Sequence, residues 1–239
     1  KANGALIVDI GKMLFSLDGG LLLNQRPALE RLAKGGKTAS GRQMAYATLM
    51  NSRFMDEAVV IAGDDSKRLS DLLGAVSAMD SEEALGKIYG NVFSFLDSQD
   101  VALREAAIGA STSCTGHGEE VFAKLVRLLE SDTSTHAVIK ALHRMHSYYW
   151  HQGKLPDVVR KILTVAEGIP VGEPNKAPFL DAIQLVQEMS KRFKKRTDIS
   201  EQIAKLRVPV VRIGTVKHQL KFDKTEFTVE VGKEIEIIF

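Results

Sequence analysis

The sequence predicts a mainly helical protein, built of paired helices as far as Arg207 and ending in a short strand-forming segment. Three observations predict it. Apolar residues recur three and four apart over most of the chain, as at Leu69, Leu72, Leu73 and Val76. Helix-capping residues and glycine or proline breaks separate these runs. After Val208 the apolar period drops to two, with Phe227, Val229 and Val231, then Ile235, Ile237 and Phe239, alternating with polar residues. Composition agrees with this reading. Hydrophobic residues make up 44% and charged residues 26% of the 239, and aromatics are scarce, so Leu and Ala must fill the core by helix packing.

Taken in order, Gly19-Gly20 separate an apolar opening segment from LLLNQRPALERLAKGG, where Pro27 suits a first helical turn and Gly35-Gly36 a helix end. TASGRQMAYATLM offers Thr38 or Ser40 as N-cap, with Met44, Ala47 and Leu49 inward. DDSKRLSDLLGAVSAM opens on Asp64 or Ser66, and DSEEALGKIYGNVFSFL presents Leu85, Ile88, Val92, Phe95 and Leu96 on one face. SQDVALREAAIGAS, GEEVFAKLVRLLES and DTSTHAVIKALHRM follow as three more helices. HSYYWHQGKLP interrupts the pattern. Pro156 then fits the first turn of a helix ending at Gly168, and the proline-rich PVGEPNKAP is a break. APFLDAIQLVQEMSKRFKKR and DISEQIAKL complete the helical part.

The stretch FLDSQDVALREAAIGAS joins an apolar helix end, an Asp/Ser turn and a helix opening on small-hydrophobic-Arg-x-x-Ala. It resembles a HEAT-like repeat. Arg42, Arg68 and Arg104 each stand early in such a helix, at unequal spacing. The resemblance implies degenerate repeats of paired helices, about eight to ten in all, stacked as a short α-α superhelix. An irregular helical bundle is the alternative. The expected division is a helical-repeat domain over 1–207 and a β segment of about three strands over 208–239, with a hairpin of Glu226–Val231 and Glu234–Phe239 around Gly232-Lys233.

RIGTV followed by FDKTEFTVEVGKEIEIIF resembles the opening strands of plastocyanin/azurin-like (cupredoxin) domains in large secreted bacterial proteins. That resemblance implies a Greek-key placement of these strands in place of the local hairpin, and a multidomain periplasmic or extracellular protein in which a helical region supports redox or carbohydrate-active domains. The family's copper ligands follow the strand that matches EIEIIF, so no cofactor is expected within these 239 residues, and His218 reads as a surface strand histidine. A first residue that is not Met and the closing EIEIIF give the expectation of a piece cut from a longer polypeptide.

Net charge is near +2 at pH 7, which gives no global attraction to nucleic acid or an anionic membrane. No run reaches the ~20 apolar residues of a membrane span, and the single cysteine excludes an intrachain disulfide. Four candidate constellations stand out. His136, His143, His146 and His151 lie close in sequence, and His143 with His146 at i, i+3 could supply two metal ligands; solvated histidines around a turn are the simpler reading. Tyr148, Tyr149 and Trp150 form an aromatic cluster suited to a contact surface or a core anchor. Cys114, three residues before His117, reads as a buried or turn thiol rather than a nucleophile. The run Lys191 to Arg196, containing Lys194, Lys195 and Arg196, is the concentrated basic patch, and a nucleic-acid-binding solenoid is the runner-up to which it belongs.

No catalytic motif is found, so the expected function is a non-catalytic scaffold or protein-interaction module whose partners are proteins: flanking domains, another subunit, or a chain that pairs with a free strand edge.

Overall fold

The structure, a computed structural model, describes residues 19–79, 81–169, 176–192, 197–205, 210–212, 226, 228 and 236–238. It is mainly helical. Eleven α-helices are present among the described residues: α1 Gly19–Gly35, α2 Ala39–Asn51, α3 Met55–Ala62, α4 Ser66–Val76, α5 Glu82–Phe95, α6 Val101–Ser111, α7 Gly118–Glu130, α8 Thr135–Arg144, α9 Leu155–Gly168, α10 Lys176–Ser190 and α11 Thr197–Lys205.

Short polar side chains start these helices by accepting from backbone N–H groups that the first turn leaves unbonded. Thr38 caps α2, Ser81 caps α5, and Asp100 caps α6 by accepting from Ala102 and Leu103 at 2.9 and 3.2 Å. The cap of α4 is Asp65, between the two residues the sequence suggested, and it accepts from Arg68 N–H at 2.9 Å. Pro27 does not open α1 but lies inside it, because the helix already begins at Gly19. Helix α3 was not foreseen. Its eight residues are too few to show a full apolar period.

The chain divides into two units, residues 1–151 and 152–239. The break expected at 207/208 falls outside the described residues. In the first unit the even helices form one row, α2 against α4, α4 against α6 and α6 against α8. Each packs on the odd helix before it in sequence, giving the pairs α1/α2, α3/α4, α5/α6 and α7/α8. The core lies between these two layers and is filled by Tyr46, Leu49, Leu72, Leu73, Ile88, Ile108, Leu125 and Leu142.

The recurring arginines link neighbouring pairs. Arg42 Nε donates to Asp71 of α4 at 2.5 Å while Nη1 donates to the Gly36 carbonyl at 2.8 Å. Arg104 repeats the device: Nε donates to Ser134 at 3.0 Å and Nη1 to the Ser98 carbonyl at 2.6 Å. Between them, the Leu103 N–H and, after it, Ser66 of α4 hold the Asp100 carboxyl below its usual range. In both arginines one arm closes the turn before its own helix and the other grips the next even helix or its cap.

In the second unit α9 packs on α10, burying Val158, Val159, Ile162 and Leu163 on one and Ile183, Leu185, Val186 and Met189 on the other. Strand β1 (Val210–Arg212) pairs in parallel with β2 (Glu236–Ile238), Val211 opposite Ile237. The expected hairpin partner at 226–231 and His218 lie outside the described residues, apart from positions 226 and 228.

Candidate functional site

Helix lengths open a groove in the odd layer. Helix α3 has eight residues and α5 fourteen, about 12 and 21 Å at 1.5 Å per residue, so α5 runs past the end of α3. The space between them is about 740 Å³ and is floored by the end of α2. Met50 and Met55, both buried, lie beneath it, and Val59 and Val60 of α3 form one wall. Val60 is 79% exposed, although a valine would be expected to turn inward. Glu83 and Lys87 of α5 line the other wall, joined at 2.7 Å. Hydrogen bonding by the Lys87 ammonium holds the Glu83 carboxyl below its usual range. Arg53 and Asp56 add one charge of each sign, so the charged lining residues balance.

Two residues of the groove depart from local preference. The side-chain oxygen and nitrogen of Asn51 are both buried and neither has a hydrogen-bond partner in the protein. Leaving buried amide atoms unsatisfied costs about 1–3 kcal/mol each. Arg53 has φ 69°, in the left-handed region, just past the cap of α2, where Phe54 N–H reaches back to the Leu49 carbonyl at 3.0 Å. Glycine normally takes that place in a Schellman turn, and a residue with a Cβ is disfavoured there by ~1 kcal/mol or more. Such departures cluster at functional positions.

A smaller cavity of about 380 Å³ lies beside the Thr115–His117 turn. The Tyr149 hydroxyl donates to the Thr115 carbonyl at 2.7 Å, and its ring lies over Gly118. His117 stacks face to face on Tyr89 with ring centres 3.6 Å apart, and its Nδ1 is 4.0 Å from Glu120. Burial, and after it the Glu120 carboxylate, raises the Tyr89 phenol. Burial alone pushes the Cys114 thiol up to about 11. A thiol so placed stays protonated at neutral pH, the opposite of what a nucleophile requires.

The other residues foreseen as candidates are dispersed. Trp150 is core, 5% exposed, whereas Tyr148 is 75% exposed and Tyr149 is committed to the turn. His146 Nδ1 accepts from Tyr148 N–H at 3.2 Å, and His143 sits half-buried on α8. His151 is exposed at the end of the first unit. Among the described residues no three His, Cys, Asp or Glu side chains gather in a way that could hold a metal. Lys191 and Arg192 are exposed; Lys194, Lys195 and Arg196 lie outside the described residues. No helix among those described is long and apolar enough to cross a membrane.

The groove residues escaped sequence reading because Asn51-Ser52 looks like an ordinary helix end. The available signal was a turn carrying arginine where glycine is usual, followed by the short apolar run AVVIA. No protein-family model matches this chain, nor does any curated protein or any solved structure.

Proposed function

We propose that this chain is a non-catalytic interaction module in which stacked helix pairs present a binding surface to a protein partner. The observation that carries it is the regular alternation of the first unit, where successive even helices are joined by Arg42 to Asp71 and by Arg104 to Ser134. Units repeated in this way form a short solenoid, and solenoids act through extended surface rather than a closed active site. The strand resemblance adds the reading that the module belongs to an exported multidomain protein and holds its redox or carbohydrate-active neighbours in place.

A photo-crosslinking residue placed at Val60 or at Val101, both exposed, in the full-length protein within its native cells tests the reading. One discrete protein adduct formed from Val60 but not from Val101 supports it. No adduct, or the same adducts from both sites, overturns it.

A further inference from the structure

We infer that the cavity between the start of α5 and the Thr115–His117 turn takes an arginine side chain of the protein partner, its guanidinium paired with Glu82. The inference rests on the reading of this chain as an interaction module. Helix α5 has two working sides. Glu83, Lys87 and Asn91 line the groove toward α3, whereas Glu82 and Gly86 line the cavity on the side of the turn. A partner lying across α5 therefore meets both hollows. The cavity holds about 380 Å³, near the lower end of the roughly 300–1,000 Å³ of ligand pockets, so it suits one side chain rather than a large cofactor. Its mouth is made of exposed residues, Glu82, Gly86, Thr115 and Gly116, with His117 partly exposed; Leu85 and Cys114 lie buried behind them.

The walls select a cation, and a flat one. Glu82 is the one carboxylate among the lining residues, and no Lys or Arg stands with it. It sits in the first turn of α5, where its full negative charge outweighs the roughly half positive charge of the helix end. Glu119 and Glu120 do the same at the start of α7, and the Glu120 carboxylate lies 4.0 Å from His117 Nδ1. An anion therefore gains nothing here. Two lining rings are already fixed in the free protein. The Tyr149 hydroxyl donates to the Thr115 carbonyl at 2.7 Å, and the His117 ring stacks on Tyr89 with centres 3.6 Å apart. A guanidinium forms two parallel N–H···O bonds to one carboxylate while its face lies against a ring. A lysine ammonium is a compact, strongly hydrated point charge and uses flat walls less well. Gly86 and Gly116 leave the entrance open, since nothing lies within 4 Å of where a Cβ would stand at either.

The test titrates the whole chain with N-acetylarginine methylamide and follows backbone amide resonances by NMR. Saturable shifts at Gly86, Thr115 and Gly116 are expected, with a dissociation constant on the order of 1 mM for so small a probe. The citrulline analogue has nearly the same shape without the charge and should bind about tenfold more weakly. Glu82→Gln should weaken the arginine probe about tenfold and leave the citrulline probe unchanged, a split that a merely structural carboxylate would not produce. Gly86→Leu should fill the cavity and abolish binding while holding or raising the thermal midpoint, because leucine suits a helix interior better than glycine. In the crosslinking experiment both substitutions should cut the yield of the Val60 adduct severalfold.

Equal binding of the arginine and citrulline probes overturns the inference, as does a lysine probe that binds as well as arginine, a glutamate probe that binds better, or no saturable shift at all. If the Val60 adduct forms and neither substitution lowers its yield, the arginine inference falls and the interaction module stands. If no adduct forms, both fall, whatever the free probe does.

Discussion

Arg42 and Asp71 show how much one residue can carry in this architecture. Both are nearly buried, 7% and 5% exposed, and the bond to Asp71 keeps the Arg42 guanidinium more basic than usual. Removing one partner strands the other charge inside, whereas removing both strands nothing. Arg42→Met is expected to cost about 3 kcal/mol of unfolding free energy by urea titration, and Arg42→Met with Asp71→Leu much less, within about 1 kcal/mol of wild type. Additive losses would mean that the two act separately.

Cys114 makes a pH prediction of definite sign. Its ordinary value is 9.0, and in the fold it rises to about 11. Below pH 9 the thiol is protonated whether the chain is folded or not, so it adds no pH dependence. Between pH 9 and about 11 only the unfolded chain ionises there, and stability must fall with rising pH. Tyr46, pushed up to about 12 by burial, adds its own decline from pH 10. Comparison with Cys114→Ala therefore isolates the thiol: the variant's denaturation midpoint should fall less steeply across pH 9 to 11. Iodoacetamide should leave native Cys114 unmodified at pH 8 and label it on unfolding.

At the scale of elements, legibility in the sequence followed the physics of each helix. Helix α7 was easily read because Val121, Phe122, Leu125, Val126 and Leu129 form one buried stripe against a charged face. Helix α2 was harder. Every residue from Ala45 to Met50 is buried, since α1, α3 and α4 all pack on it, so it shows no polar face to set a period. A local cap such as Thr38 was visible because the capping bond spans only three residues. Ser134 was not, for a tertiary reason: it sits at φ 48° and makes no side-chain cap bond, its hydroxyl being taken by Arg104 from the neighbouring pair. The groove was invisible for the same reason, since it depends on the unequal lengths of two helices that are not consecutive.

Two glycines test element packing in opposite directions. A methyl group at Gly118 would overlap the Tyr149 ring, which the Thr115 bond holds in place, so Gly118→Ala should destabilise by about 1–3 kcal/mol. At Gly74 the same change meets only the movable end of Gln43. There the gain in helix propensity, up to ~1 kcal/mol, should leave Gly74→Ala neutral or stabilised. Thermal midpoints of the two variants decide, and equal effects would mean that the ring is as mobile as the amide.

For the molecule as a whole, a repeat stack and an irregular bundle differ in how far a local loss spreads. In a stack each pair touches only its neighbours, so stability is a sum of unit and interface terms. In a bundle with one core, damage anywhere is felt everywhere. Arg104 joins α6 to the cap of α8, donating to Ser134 and to the Ser98 carbonyl, far along the stack from α1 and α2. Arg104→Ala should therefore raise amide hydrogen exchange in α7 and α8, and at the facing end of α6, while α1 and α2 keep their protection. A uniform rise across the first unit would identify a single cooperative bundle. The interaction reading would then lose the architecture on which it stands, because it rests on pairs that stack as repeated units.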